Sequence, residues 1–423
     1  MKNSAQHRSG TFKLNSQPVT GWLAIAIVFA LVTVLAQSAQ AQTYQVIYYF
    51  GGGQDGSTPT TGVTMDPRGN LYGTTYDIFG TVYEMRYVNS AWIFSTLTDL
   101  GFQKGSFPLG GVIKGPDGSL YGTTSGGGGS CSCGVVFNLK PPPNASAFVL
   151  AGWKESVLYD FTGASDGDSP GYGNLVFDKA GNLYGTTSAG GAYGQGVVFE
   201  LTPSNGGWTE SVIYSFTGFT DGGAPQSGVI FDSAGNLYGT TSAGGQYSDG
   251  TVYELTPSGS GWTETVLHSF QSATEGSEPY AGLTFDASGN LYGTAYSGGL
   301  GGFDGSVFEL SPSNGGWTFS VPHLFDFSKG EGAAPLAGVT MDASGNLWGT
   351  TLGGGYYDDG TVYKLTYSNG YWVYSTVYSF GNAGNSPFGG VTFDAKGNAY
   401  GTAIAGGKGA CNGGCGVVWE ITP

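Results

Sequence analysis

One string constrains this chain more than any other feature. "GNLYGTT" returns with small changes seven times, starting at Gly69, Gly118, Gly181, Gly235, Gly289, Gly345 and Gly397, with successive starts 49, 63, 54, 54, 56 and 52 residues apart. A period near fifty is too long for one coil of a β-helix and suits a propeller blade of four short strands. Each period divides that way. Strand a is short and apolar, as in "SGVIFD" (227–232), and strand b is the "LYGTT" piece. Strand c is "GTVYELTP" (250–257) and its relatives. Strand d runs from a Trp to an aromatic or Leu eight residues on, as in "WTESVIYSF" (208–216). These pieces alternate and are rich in Val, Thr, Tyr and Phe, which fit a pleated surface packed on both sides. Gly is 79 of 423 residues, yet aromatics reach 14% and charges only 10%. The chain therefore has apolar surface to bury, and the glycines serve turns and tight approaches rather than disorder.

The two ends decide between an open array and a ring. The last repeat stops after its strand c, "GVVWEITP" (416–423), while "QTYQVIYYF" (42–50) has the length and ending of a strand d. The N-terminal strand is expected to pair beside the last strand c and remove the exposed edges of an open array. The expected fold is an all-β, seven-bladed propeller of four-stranded blades, spanning 42–423 as one domain. Residues 1–41 read as a signal peptide. Lys2, Arg8 and Lys13 precede the apolar run 22–36, and Ala39-Gln40-Ala41 is a small-x-small cleavage signal, so cleavage is expected after Ala41. No second apolar stretch follows, and secretion without a membrane span in the mature chain is expected. With those three cations removed, the mature chain has 11 basic against 30 acidic residues, a formal −19. Such a surface repels nucleic acid and anionic lipid and admits cations, neutral glycans or proteins.

Most residues that look chemical follow the repeat. Asp232 starts the turn "DSAGN" and recurs as Asp66, Asp178, Asp286, Asp342 and Asp394, with Gly115 in the second repeat; Asp in that place bonds the backbone of its own turn. The strand c glutamates (Glu84, Glu200, Glu254, Glu309, Glu420) and the strand b row from Tyr72 to Tyr400 recur too and read as sheet and core residues. His268 and His323 stand where other repeats have Tyr48, Tyr159, Tyr214 and Tyr378, so they read as aromatic substitutes. Strand a should line the channel, and it carries no His or Glu; Lys114 is its one charged exception. The four cysteines fall outside the repeat as two close pairs, Cys131 with Cys133 and Cys411 with Cys415, each within a b–c loop. Two local disulfides are expected in an exported protein.

The pattern "DG…P…GV.FD..GNLYGTTS.GG….GTVYELTP" resembles the GloVer-type tandem repeat of bacterial choice-of-anchor surface or secreted proteins, over essentially the whole mature chain. The resemblance implies an extracytoplasmic β-propeller with no activity defined at the family level, and supplies no catalytic residues. This chain ends at Pro423 without the sorting segment common in that group, which favours simple secretion.

Loops d–a and b–c are expected on one rim, and they vary where the other rim's turns are uniform; variable loops on a rigid scaffold carry binding. The d–a loops place an acid four residues before a Pro, at Asp55, Asp166, Asp221, Glu275 and Glu331, while b–c loops add Asp249, Asp304, Asp358 and Asp359. The expectation is a monomeric, non-catalytic binding or adhesion module whose rim takes a glycan or a protein. No cofactor is indicated; if an ion is used, Ca²⁺ suits carboxylate and backbone oxygens there. The competing reading is a carbohydrate lyase or hydrolase using rim carboxylates that break the symmetry, such as Asp166 with Asp168 or Glu275 with Glu278.

Overall fold

The computed structural model describes residues 42–77, 79–142, 152–259 and 261–423; the expected signal peptide lies outside them. Thr43–Thr422 forms one compact unit of seven four-stranded antiparallel blades. Blade 4 is typical. Strand a (Ile230–Phe231) pairs strand b (Leu237–Thr241), then strand c (Thr251–Ser258), then strand d (Gly261–Ser269). Blade 7 takes its outer strand from the other end of the chain: Thr43–Tyr49 pairs antiparallel with Val417–Thr422, from Thr43 opposite Thr422 to Tyr49 opposite Val417. The ring is closed as its ends required.

The repeated string is a packing and wiring instruction. Its Leu is fully buried in the core between blades, as Leu237 is. Its Tyr sends the phenol to two carboxylates: Tyr238 Oη donates to Glu254 at 2.8 Å and to Asp232 at 3.3 Å. Asp232 in turn accepts the N–H groups of Ala234 and Asn236 at 2.8 and 2.9 Å, which fixes the a–b turn. The next residue must be Gly because the strand c ring lies on it; a Cβ on Gly239 would sit 2.4 Å from the Tyr253 hydroxyl. The first Thr clips to the following blade. Thr186 donates to the carbonyl of Ser227, and Thr402 to that of Thr61 across the closure, both at 2.6 Å. The second Thr bonds within its own blade, as Thr241 does to Thr251 at 2.8 Å. Each strand d is followed at once by a buried side chain, such as Phe216, Phe270 or Phe325, so Phe270→Ala would cost about 3–5 kcal/mol.

The innermost strands are short, two paired residues each, and pack backbone to backbone. A Cβ on Gly173 would fall 1.5 Å from the amide of Gly228 in the next blade, so the ring has its small bore only because glycine stands there. Lys114, the charged exception of strand a, is not among the channel-lining side chains. It pairs with Asp66 of blade 1 at 2.9 Å and lies over the Tyr72 ring. Both cysteine pairs are closed as local disulfides, Cys131–Cys133 and Cys411–Cys415.

Candidate functional site

The five acids of the d–a loops are each anchored inside their own blade. Asp55 accepts the Tyr48 phenol (2.8 Å) and the Gly51 amide (2.8 Å). Asp166 accepts the Tyr159 phenol at 3.0 Å and both the amide and hydroxyl of Thr162 at 2.8 and 2.6 Å. Burial alone would raise the Asp166 pKa, but the Thr162 and Tyr159 bonds outweigh it and hold the carboxyl below its ordinary range. Asp221 repeats the arrangement with Tyr214 and Thr217. In the next two blades the phenol becomes an imidazole and the acid lengthens to match: Glu275 meets His268 Nε2 at 2.9 Å, and Glu331 meets His323 Nε2 at 2.9 Å. A long donor faces a short acid and a short donor a long one, so the same gap is bridged. Each acid also holds the first N–H of its loop, Gln271 for Glu275 and Asp326 for Glu331. Burial lowers the pKa of both histidines against the opposing pull of their glutamates.

The b–c acids act through main chain and side chain alike, the Asp249 carboxylate accepting the Ser272 amide at 2.9 Å. The carbonyls of Asp249, Asp304 and Asp359 accept the N–H groups of Glu278, Ala334 and Ser386 in the following d–a loop, at 2.9, 3.1 and 2.7 Å. The Asp358 carboxylate caps its own loop at Gly354. Of the symmetry-breaking clusters, Asp168 accepts the Ser169 hydroxyl at 2.8 Å and Glu278 the Ser297 hydroxyl at 3.1 Å. Among the described residues no three His, Cys, Asp or Glu side chains converge as a metal site.

What the loops surround is a pair of neutral cavities. One of about 470 Å³ is the channel, lined by strand a residues of all seven blades. A second of about 510 Å³ opens among the d–a and b–c loops as a funnel. Tyr172, Tyr280, Leu336 and Phe388 line both, so they form the partition between them. Tyr172 comes from blade 3 and Phe388 from blade 7, yet their ring centroids are 5.8 Å apart: the tyrosine reaches across the bore. Tyr280 packs edge-on against Tyr296 at 5.3 Å. No Asp, Glu, His, Lys, Arg or Cys lines either cavity among the described residues. Burial raises the pKa of the Tyr172 and Tyr280 phenols, so both stay neutral. Farther out, the same loops expose Phe219 (76%), Phe303 (75%) and Tyr356 (83%), an unusual outlay of bare aromatic surface for a rim with no partner.

A search of strand a for charged chemistry passes over this site, but the sequence holds a signal. Counting back six residues from each turn position gives Thr60, Leu109, Gln226, Tyr280, Leu336 and Phe388 in six repeats. This is a variable column inside an otherwise constant frame. In the third repeat that column holds Tyr172, and the interval from Pro170 to Asp178 is one residue longer than from Pro225 to Asp232. The added residue is Gly171, beside the tyrosine that spans the bore.

Sequence and structure comparisons agree with this architecture. The profile of the Gloeobacter/Verrucomicrobia repeat matches residues 171–419, more than half of the chain. The chain belongs to this family. None of the curated proteins compared matches it in sequence. Among solved structures it is similar to a protein of Bacteroides uniformis provisionally designated a 6-phosphogluconolactonase, at 13% identity and TM-score 0.51, with 78% of this chain and 88% of that one covered. It is also similar to PorZ, a bacterial surface component of the type-IX secretion system of Porphyromonas gingivalis, at 14% identity and TM-score 0.50. That match covers 89% of this chain but only 48% of PorZ. Likeness at these identities is a likeness of fold. Among the described residues no helix is long and apolar enough to cross a membrane.

Proposed function

We propose that this family member is an extracytoplasmic, non-catalytic binding module whose ligand, a glycan or a protein, docks on the rim of the d–a and b–c loops around the funnel. The observation that carries this reading is the lining of the funnel: aromatic rings, hydroxyls and one amide on a rigid ring, with no carboxylate, imidazole, amine, guanidinium or thiol among the described lining residues to activate a hydroxyl. Concave sites with apolar walls and a few polar groups bind ligands, whereas proton transfer or covalent chemistry needs a titratable group within reach. The disulfides fit an oxidising compartment. The five d–a acids serve the site by fixing the loops that frame it. Enzymatic use of rim carboxylates gains no support, because Asp166, Asp168, Glu275 and Glu278 are all held in intramolecular bonds and none of them lines the funnel, although Asp168 takes the hydroxyl of the lining residue Ser169.

The test is a glycan array together with affinity capture from surface extracts, using the chain from residue 42 onward and a variant carrying Tyr172→Ala, Tyr280→Ala and Phe388→Ala. Binding that the triple variant loses supports the reading; turnover of a bound glycan, or binding the variant retains in full, contradicts it.

A further inference from the structure

We propose that the funnel is built for the terminal residue of a neutral saccharide, stacked on Tyr172 and its neighbours; this rests on the binding reading above and deepens it. A sugar ring offers a face of C–H bonds and a rim of hydroxyls, so its receptor needs aromatic faces and uncharged donors and acceptors. The funnel supplies both. Its rings are Tyr172, Tyr280, Tyr296 and Phe388. Gln226 lines it, and among the described residues its amide, like the Tyr172 and Tyr280 hydroxyls, makes no hydrogen bond to another group. Ser125 and Ser188 have donated their protons to the carbonyls of Phe107 and Ser169, at 3.0 and 2.9 Å. Their oxygens are left as acceptors for ligand hydroxyls.

Charge excludes the alternatives. An anionic sugar or phosphate finds no cation in the lining, and the surrounding loops are acidic, so its approach is opposed. An amine finds no carboxylate in the lining to pair with. The volume of about 510 Å³ lies within the ordinary range of small-molecule sites, about 300–1,000 Å³. The partition decides the mode of entry. Because Tyr172 meets Phe388 across the bore, a chain cannot thread the channel and must present an end. The exposed Phe219, Phe303 and Tyr356 on the same loops then offer stacking faces to sugars farther along.

The experiment is titration calorimetry and saturation-transfer NMR on the chain from residue 42 onward, with neutral oligosaccharides and with the same oligosaccharides ending in a uronic acid. The expected result is saturable binding of at least one neutral series, weakened about ten-fold or more by Tyr172→Ala and by the terminal carboxylate, and changed less than about three-fold by Tyr172→Phe. Tyr172 is a third exposed (36%), so its truncation leaves the fold intact, and an unchanged melting temperature checks this. Absence of binding by any neutral saccharide overturns the inference, as does binding that Tyr172→Ala leaves unaltered. Capture of a protein that Tyr172→Ala abolishes overturns the saccharide and leaves the binding module standing. A partner indifferent to every rim substitution overturns both.

Discussion

The outer seams of the ring come in two kinds, and they lie in separate arcs. Between blades 4–5, 5–6, 6–7 and 7–1 the seam is a stacked pair of rings. These are His268 on Phe319 at 3.6 Å, His323 on Tyr374 at 4.5 Å, Tyr378 on Tyr44 at 3.8 Å and Tyr48 on Phe94 at 4.0 Å, all within 10° of parallel. Between blades 1–2, 2–3 and 3–4 the third residue of strand d is a glutamate instead: Glu155, Glu210 and Glu264. Glu155 meets Thr98 and Lys104 at 3.4 and 3.5 Å. Both of those contacts fall on Oε2, and Glu155, Glu210 and Glu264 each leave a buried Oε1 with no partner among the described residues. Burial first, then Asp166 for Glu210 and Asp221 for Glu264, push both acids up to about 7. One position of one repeat thus meets the same neighbour in two ways: among the described residues each acidic seam leaves a buried carboxylate oxygen unpaired, whereas the aromatic seams leave only the Tyr44 hydroxyl so. The ring needs contact at this seam; it does not need one chemistry.

The largest effect should come from converting an aromatic seam into an acidic one. Phe94→Glu faces Tyr48 and Asp55 as Glu210 faces Tyr159 and Asp166. It should cost about 2–4 kcal/mol at pH 8, through lost ring packing and a buried charge, and less at pH 5.5 where the new acid is protonated. The reciprocal Glu210→Phe should raise stability at pH 8. Denaturant unfolding at the two pH values reads both, and equal losses for Phe94→Glu at both would break the comparison.

A smaller effect isolates the proton. An acid whose folded pKa lies above its unfolded value keeps a proton in the folded state that the unfolded chain has released. The contribution of Glu210 and Glu264 to stability therefore falls as pH rises from about 4.5 to about 7, and levels off above. Glu210→Gln with Glu264→Gln should flatten that fall and stabilise the protein at pH 8, by about 1 kcal/mol per site once solvent screening is allowed for. Melting curves from pH 4.5 to 8 test it; parallel profiles for the two proteins would contradict it. Asp166 works in the opposite sense, since its lowered pKa makes its contribution present above the ordinary carboxylate range and lost as pH falls through it.

Much of this architecture was legible in the sequence because it is periodic or local. Strand length, blade number, the closing strand and both disulfides follow from spacing, and a repeated Asp-to-Tyr interval suffices to read the turn. The d–a acids were visible as well, but as isolated charges. Their role depends on partners seven or eight residues upstream, Tyr48 for Asp55 and His323 for Glu331, so the pair carries the meaning and neither member does alone. The funnel was least legible for a physical reason. It is made by Tyr172, Tyr280, Leu336 and Phe388 from four blades, residue types that read as core wherever they occur, and only ring closure aims them at one another. Departure from the repeat, at the variable column and at the inserted Gly171, marks that site more reliably than residue type does.

The central claim is a division of labour, in which the d–a acids hold loops and the neutral funnel holds the ligand. The most direct measurement compares two variants of the same protein by thermal unfolding and by calorimetric affinity for whatever ligand the arrays and capture identify. One carries Asp55→Asn, Asp166→Asn, Asp221→Asn, Glu275→Gln and Glu331→Gln; the other carries Tyr172→Ala, Tyr280→Ala and Phe388→Ala. The acid variant should melt about 5–10 °C lower, five weakened anchors at about 1 kcal/mol each, and bind within about three-fold of the parent. The funnel variant should melt near the parent and bind at least about ten-fold more weakly. The reverse pattern, with affinity lost in the acid variant and kept in the funnel variant, would place the ligand on the carboxylates and contradict the account.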